Sequence, residues 1–226
     1  MIVINVIMFL ISLVLSGKAI LVTLNPLFFF TPSRDVLIFL GAAGIRPVSQ
    51  FDFWWSPVSA SWLHGGLLHL VFNMMALKTV VPLVIKEFGV SRMFIIYTLS
   101  GVAGFLLSYI GRVDLTIGAS AGLCGLIGAA LYFGKARGGQ WGQLVFQQTR
   151  GWVISLAVIG FLLPIINNWG HGGGLVAGIF FGWLLQYTEI RKEHIIDRFL
   201  AIACVIVTLG LLLWRVAYGL TLAFIG

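Results

Sequence analysis

The stretches GASAG at residues 118–122 and WGHGGG at residues 169–174 are the strongest indications of the fold and of a functional site. Each stretch opens an apolar run that is long enough to lie in lipid, and each carries one reactive side chain, Ser120 or His171. Polar side chains at membrane depth are energetically costly, so they mark functional sites by default. A serine and a histidine that meet there are typical of a nucleophile and its base.

The composition is that of a membrane protein. The 226 residues are 60% hydrophobic and 9% charged, with a mean hydropathy of +1.06, whereas soluble domains carry about 25% charged residues. The net charge of +7 is explained by Lys and Arg residues in cytoplasmic loops, which orient a protein in the membrane. The sequence has no dense basic run, so a nucleic-acid partner is not expected. Cys124 and Cys204 both fall in apolar runs, so a disulfide framework is not expected.

Seven apolar runs predict an all-α polytopic protein, because a helix needs about 20 apolar residues to cross the hydrocarbon core. The expected spans are Ile2–Leu24, Trp62–Ile85, Met93–Ile110, Thr116–Gly134, Gly151–Ile166, Gly170–Tyr187 and Phe199–Phe224. The fifth is short and ends at Pro164. The first has no basic residue before Lys18 and no convincing cleavage site, which favours a retained helix over a signal peptide.

Loop charges predict that the N-terminus is cytoplasmic. With that orientation the inside loops carry eight basic residues and the outside loops three, as the positive-inside rule requires. The inside set is Lys86, Arg92, Lys135, Arg137, Arg150, Arg191, Lys192 and Arg198, and the outside set is Arg34, Arg46 and Arg112. Ser120 and His171 then lie in the outer leaflet with the histidines of the second span. Arg215, near a span end, is expected to snorkel to the membrane surface.

The connection between the first two spans, residues 25–61, is long and rich in Phe and Trp. We expect short helices that lie in the membrane interface, where such side chains are favoured. The alternative is a re-entrant or eighth span. Charges at Arg34, Asp35, Arg46 and Asp52 interrupt every long apolar run, which favours the interfacial interpretation.

Glycines at helical spacing indicate close packing between two spans. The sixth span carries Gly174, Gly178 and Gly182, and the fourth carries Gly118, Gly122 and Gly125. Such small-residue stripes let helix backbones approach each other in lipid. The simplest assembly packs the fourth span against the sixth, with Ser120 facing His171.

The second span supplies the other candidate polar groups. His69 and Asn73 are four residues apart and share one helix face, whereas His64 would lie about 140° around that helix. His171 is the better base for Ser120, because its glycine-rich context allows close approach. The backbone N–H of Ser120, the Asn73 amide and either His69 or His64 could donate to an oxyanion.

Carboxylates and metal motifs are missing from the spans. The seven Asp and Glu residues all fall in loops or at span ends, with Asp114 the nearest in sequence to Ser120, so we expect a Ser–His dyad without an acidic third member. The sequence contains neither His-Glu-x-x-His nor Gly-x-Gly-Asp. Three histidines could bind a metal, but no carboxylate in the spans would orient them. We therefore expect neither a metal nor a cofactor.

Three groups of residues together resemble the rhomboid family of intramembrane serine proteases. They are His64-x4-His69-x3-Asn73, then Gly118-Ala119-Ser120 followed by Gly125, then His171-x2-Gly174-x3-Gly178. The resemblance covers the first six spans. It implies Ser120 as nucleophile and His171 as general base, with His69, Asn73 and the Ser120 amide as the oxyanion hole. It gives His64, Gly118 and Gly174 supporting positions.

The resemblance also implies an architecture and an activity. A six-helix catalytic core would occupy residues 1–187, including the interfacial loop 25–61, around a water-filled cavity open to the outer side. Residues 188–226 would form a cytoplasmic linker and a seventh transmembrane helix. The expected function is that of a serine endopeptidase that cleaves transmembrane segments of membrane-protein substrates within the lipid bilayer. The expected location is the bacterial cytoplasmic membrane, with the N-terminus inside.

Two other classes of protein are weighed against the protease. A rhomboid-like pseudoprotease would bind transmembrane helices without cleavage, and three departures from the family pattern favour it: Ala121 in place of Gly, Cys124 in place of an aromatic residue, and Ser56 in place of Arg. A small transporter would carry polar residues at the midplane and an inverted repeat. The sequence has no such repeat, and its candidate polar residues cluster in one leaflet.

Overall fold

A computed structural model describes residues 1–225, with side chains as far as Thr221; Gly226, the last residue of the expected second unit, lies outside this range. Over the described residues the protein is all-α, as predicted. The helices are α1 (Ile2–Ser16), α2 (Arg34–Phe39), α3 (Ile45–Phe51), α4 (Ser56–Ser59), α5 (Leu67–Phe88), α6 (Val90–Ile110), α7 (Ser120–Arg137), α8 (Gly139–Leu162), α9 (Asn168–Leu185) and α10 (Ile195–Ile225).

Each of the seven expected spans corresponds to a long helix: α1 and α5 to α10. Five of these helices, α1, α5, α6, α8 and α10, are long and apolar enough to cross a membrane. The other two, α7 and α9, have 18 residues each. Their mean hydropathy is lower because α7 carries Lys135 and Arg137 in its last turn, and α9 carries Asn168, His171 and several glycines in its first half.

Three span boundaries were predicted wrongly. The first helix ends at Ser16, and only a 3-10 turn at Gly17–Ala19 continues it. The second begins at Leu67 instead of Trp62, because Gly65 and Gly66 interrupt the chain before it. The fifth is not short: it has 24 residues and begins at Gly139, since hydropathy reports lipid contact and misses the polar first half of a continuous helix.

A seam of small residues joins α7 to α9 at the centre of the bundle. A Cβ added at Gly174, Gly178 or Gly182 would collide with α7 at Ala121, Gly125 and Ala129, respectively. The predicted stripe on the sixth span is therefore confirmed. The stripe on the fourth span was only partly right, because Gly122 packs against Tyr97 of α6 instead. Backbones that approach this closely pack without intervening side chains.

The segment between α1 and α5 folds into α2, α3 and α4, which have six, seven and four residues. None of them is long enough to span a membrane. The segment pairs instead with the stretch that leads to Ser120. Ala43 and Thr116 exchange two backbone hydrogen bonds of 3.0 and 2.8 Å, and the Gly118 N–H donates to the Ala60 carbonyl at 2.9 Å. It therefore supports the turn from which α7 begins.

The opposite end of the bundle is held by a buried arginine. Arg92, at the start of α6, is fully buried and pairs with Asp197 of α10 at 3.0 Å. Its guanidinium also donates to the carbonyl oxygens of Gln186, Arg191 and Lys192. Since five hydrogen bonds converge on this one side chain, the connection from α9 to α10 is fixed against the core.

Candidate active site

Ser120 and His171 meet between α7 and α9. Ser120 is the first residue of α7, and its Oγ lies 2.9 Å from Nε2 of His171. His171 lies in the first turn of α9, where Asn167 precedes the helix. The contact is partly buried. The structure thus brings together the two residues that the sequence selected, 51 positions apart.

Gly118 allows the chain to turn tightly before Ser120. Its φ of +126° belongs to a backbone conformation that side-chain-bearing residues rarely adopt. A Cβ at this position would lie 2.7 Å from Nε2 of His69 and 3.6 Å from Oγ of Ser120. The glycine therefore lets the His69 ring approach the serine.

His69 lies in the first turn of α5 with its Nε2 towards this turn. Its Nδ1 accepts a long 3.4 Å hydrogen bond from the Gly65 N–H, and this acceptor role assigns the ring proton to Nε2. Asn73 is buried, and its Nδ2 donates to the His69 carbonyl at 3.0 Å. One of its amide hydrogens is thus used along its own helix, and one is left for another acceptor.

His64 does not lie on α5, contrary to the expectation. It precedes the helix, because the chain is not helical at Gly65 and Gly66, so the 140° separation on one helix does not apply. Its side chain is fully buried, and its ring centroid lies 5.0 Å from that of His69. Neither ring nitrogen has a hydrogen-bond partner within the described part of the chain. His64 therefore packs against His69 and takes no part in the hydrogen bonds described here.

The acidic side chain nearest to Ser120 in sequence is used elsewhere. Asp114 forms ion pairs with Arg34 and Arg46 of the α1–α5 segment. The Nδ1 of His171 is buried and has no partner among the residues described. In the same range, no group of three His, Cys, Asp or Glu side chains has the geometry of a metal site. Among the described residues, therefore, no carboxylate forms a hydrogen bond with His171 Nδ1.

Asn167 organises the site and was missed in the sequence. Its Oδ1 accepts from the Gly170 N–H at 3.0 Å and caps α9. Its Nδ2 donates to Ser108 Oγ at 2.7 Å and to Thr116 Oγ1 at 2.8 Å. One side chain therefore joins α6, the turn before Ser120 and the helix that carries His171. An asparagine directly before an apolar helix is a capping signal that sequence analysis can use.

Together the helices and the partly buried serine–histidine pair define an all-α multi-pass membrane protein with a polar site between its central helices. The family model of the Rhomboid domain matches residues 52–188, which is more than half of the chain and contains every residue of the candidate site. The chain belongs to the rhomboid family.

Individual relatives agree with this assignment. RHOMBOID-like protein 5 of Arabidopsis thaliana is 34% identical over 180 residues, covering 73% of this chain and 55% of that protein. RHOMBOID-like protein 6, mitochondrial, of the same plant is 33% identical over 166 residues, covering 71% and 52%. Rhomboid protease GluP of Bacillus subtilis is 31% identical over 153 residues, covering 66% and 29%. The chain spans about half the length of the two plant relatives.

Proposed function

We propose that this protein is an intramembrane serine protease that cleaves transmembrane segments of other membrane proteins with a Ser120–His171 dyad. The observation that carries the proposal is the 2.9 Å contact between Ser120 Oγ and His171 Nε2. That distance is within the range in which a base can take the proton of a nucleophile. A partly buried pair of this kind inside a helical membrane bundle is costly unless it has a function.

In the proposed reaction, Ser120 Oγ attacks the carbonyl carbon of the scissile peptide bond while His171 Nε2 takes its proton. The tetrahedral intermediate collapses when the C–N bond breaks, and the imidazolium returns the proton to the leaving amine. Water then attacks the acyl-enzyme while His171 accepts its proton; the ester C–O bond breaks, the imidazolium returns the proton to Ser120 Oγ, and the acid product leaves. The Nδ1 of His171 lacks a carboxylate among the described residues, which supports a dyad.

Three donors are proposed for the oxyanion. Ser120 is the first residue of α7, so its N–H has no acceptor within the helix and lies at the positive end of the helix dipole. His69 Nε2 lies near the Gly118 turn that leads to the serine. The second amide hydrogen of Asn73 is the third donor. Donors held in place before the reaction stabilise the developing charge, and removal of one such donor from an oxyanion hole costs about 2.7–4 kcal/mol of transition-state stabilisation.

The substrate class and the orientation are part of the same proposal. The site lies between α7 and α9, and five other helices of the protein are apolar enough to cross a membrane, so we propose that a substrate reaches the site as a membrane-embedded segment. We place the N-terminus in the cytoplasm of a bacterial cell and the site near the outer face, on the basis of the loop charges. Residues 1–187 would form the catalytic core, and residues 188–226 the linker and the seventh helix.

The proposal is tested by labelling the purified protein with a fluorophosphonate in detergent and in lipid. Ser120→Ala and His171→Ala are expected to abolish labelling, because one removes the nucleophile and the other its base. Two matched variants serve as controls: Ser49→Ala and His194→Ala change exposed residues far from the site in sequence and should label like the wild type.

A cleavage assay with a single-span substrate in liposomes follows the labelling. Labelling with cleavage, both lost in Ser120→Ala, supports the protease. A folded wild type that neither labels nor cleaves, but retains a transmembrane helix in co-purification, would overturn the proposal in favour of helix capture without cleavage.

A further inference from the structure

Arg215 of α10 is buried in a membrane-spanning helix, which contradicts the expectation that it snorkels. Its side chain is only 4% exposed, and its Nε donates a 2.7 Å hydrogen bond to the carbonyl oxygen of Phe39. Phe39 is the last residue of α2, in the segment between α1 and α5. The seventh helix therefore contacts the segment that supports the turn before Ser120.

The guanidinium of Arg215 is enclosed by aromatic rings. Its Cζ lies between 4.3 and 5.5 Å from the centroids of five rings. They belong to Phe39, Phe53, Trp55, Trp214 and Tyr218. Three of these residues come from the α1–α5 segment and two from α10 itself. A cation over aromatic faces is stabilised by the ring quadrupoles, and more strongly where water is excluded.

No carboxylate balances this charge within the described residues, since Arg215 takes part in none of their ion pairs. A buried arginine in lipid is costly, and the rings and the Phe39 carbonyl are the groups that offset the cost. Both belong largely to the α1–α5 segment. Docking of that segment on α10 is therefore coupled to the burial of Arg215.

From this anchor the chain runs directly to the candidate active site. Four residues after Phe39, Ala43 exchanges backbone hydrogen bonds with Thr116. Five residues after Trp55, the Ala60 carbonyl accepts from the Gly118 N–H at 2.9 Å. Thr116 and Gly118 belong to the stretch 116–119 that leads directly to Ser120. The anchored residues and the serine turn are thus linked by hydrogen bonds between backbone groups.

We propose that Arg215 is a positioning residue that pins residues 39–55 to the seventh helix and thereby holds the Thr116–Gly118 turn that presents Ser120. This role in the reaction rests on the proposed function, in which Ser120 is the nucleophile. The mechanical part does not depend on catalysis. Through Arg215, α10 would therefore contribute to the position of Ser120, although it lies outside the candidate active site.

The test combines backbone hydrogen exchange with fluorophosphonate labelling of the full-length protein in detergent. The variants are Arg215→Gln, which removes the charge, and Arg215→Lys, which keeps a cation without the planar guanidinium. Leu213→Ala is the matched control, because Leu213 is 67% exposed on the same helix. In Arg215→Gln, amide exchange at Ala43, Thr116 and Gly118 should rise about tenfold or more, while exchange in the α7–α9 seam stays at the wild-type rate.

The labelling reaction should distinguish misplacement of Ser120 from a general loss of structure. In Arg215→Gln, the rate of acylation at saturating probe is expected to fall about tenfold, with little change in the probe concentration at half-saturation. Arg215→Lys should lie between wild type and Arg215→Gln. If Arg215→Gln leaves exchange at the three amides unchanged, or raises it equally throughout the bundle, the positioning role is wrong. Failure of the wild type to label would instead count against the proposed function.

Discussion

Gly118 has a φ of +126°, and a Cβ there would lie 2.7 Å from His69 Nε2. Gly118→Ala must therefore strain the turn or displace His69. Strained backbone of this kind costs about 1–3 kcal/mol, and a displacement of about 1 Å in a reacting group lowers rates roughly a hundredfold. We expect Gly118→Ala to fold with a lowered melting temperature and to lose nearly all fluorophosphonate labelling.

Gly172→Ala is the matched control for this substitution. Gly172 follows His171 in α9, and a Cβ added there would meet no atom within 4 Å. Because alanine is favoured over glycine inside a helix by about 0.5–1 kcal/mol, this variant should label normally and melt at the same temperature or higher. Normal labelling of Gly118→Ala would refute the close-approach argument.

Single residues could be predicted from the sequence where their chemistry is unusual for lipid. Ser120 and His171 were selected because reactive side chains in glycine-rich apolar runs have few structural explanations. Asn167 was missed because an asparagine at a helix start is common. Arg215 was misplaced, since three of its five aromatic partners and the Phe39 carbonyl lie more than 150 residues earlier in the chain, and sequence spacing carries no information about them.

At the scale of elements, the α7–α9 seam sets the distance between the two reacting side chains. A Cβ at Gly178 would overlap the carbonyl oxygen of Gly125, and backbone atoms cannot move aside as side chains do. Gly178→Ala should therefore push α9 away from α7 and lower the free energy of unfolding by about 1–3 kcal/mol, the usual cost of overpacking. Thermal unfolding in a mild detergent measures this change, and Ser120 labelling should fall with it.

Gly210→Ala provides the comparison on another helix. Gly210 lies within α10, and a Cβ there would meet no atom within 4 Å. Since alanine is favoured over glycine inside a helix by about 0.5–1 kcal/mol, the substitution should label normally and leave the stability unchanged or slightly raised. Equal effects of Gly178→Ala and Gly210→Ala would mean that helix propensity, and not the seam, governs the response.

Helices and their faces could be predicted from the sequence where contact with lipid gives them a clear apolar pattern. The four-residue spacing of Gly174, Gly178 and Gly182 gave the correct face of α9, because that spacing follows from helix geometry alone. The face of α7 was assigned less well, since α7 is packed on several sides and small residues occur on more than one of them. The start of α8 was missed because its first half is polar yet helical.

At the scale of the whole molecule, arginine side chains hold α10 to the core at two places, its first turn and its second half. Arg92 fixes its first turn through Asp197, and Arg215 fixes its other half through the rings of the α1–α5 segment. The guanidinium beside Trp55 comes from α10, 160 residues later in the chain. A contact between such distant residues is visible only once the chain is folded.

The two ends of the bundle also make the orientation testable. Gln50 lies in α3, in the segment that supports the site, and Gln140 lies at the start of α8 at the opposite end; both are exposed. The charge distribution predicts that Gln50 lies outside and Gln140 in the cytoplasm, because basic loops are retained there. In a chain with Cys124→Ala and Cys204→Ala, we expect a membrane-impermeant maleimide to label Gln50→Cys on intact bacterial cells. Gln140→Cys should react only after the cells are permeabilised, and the reverse pattern would mean that the site opens to the cytoplasm.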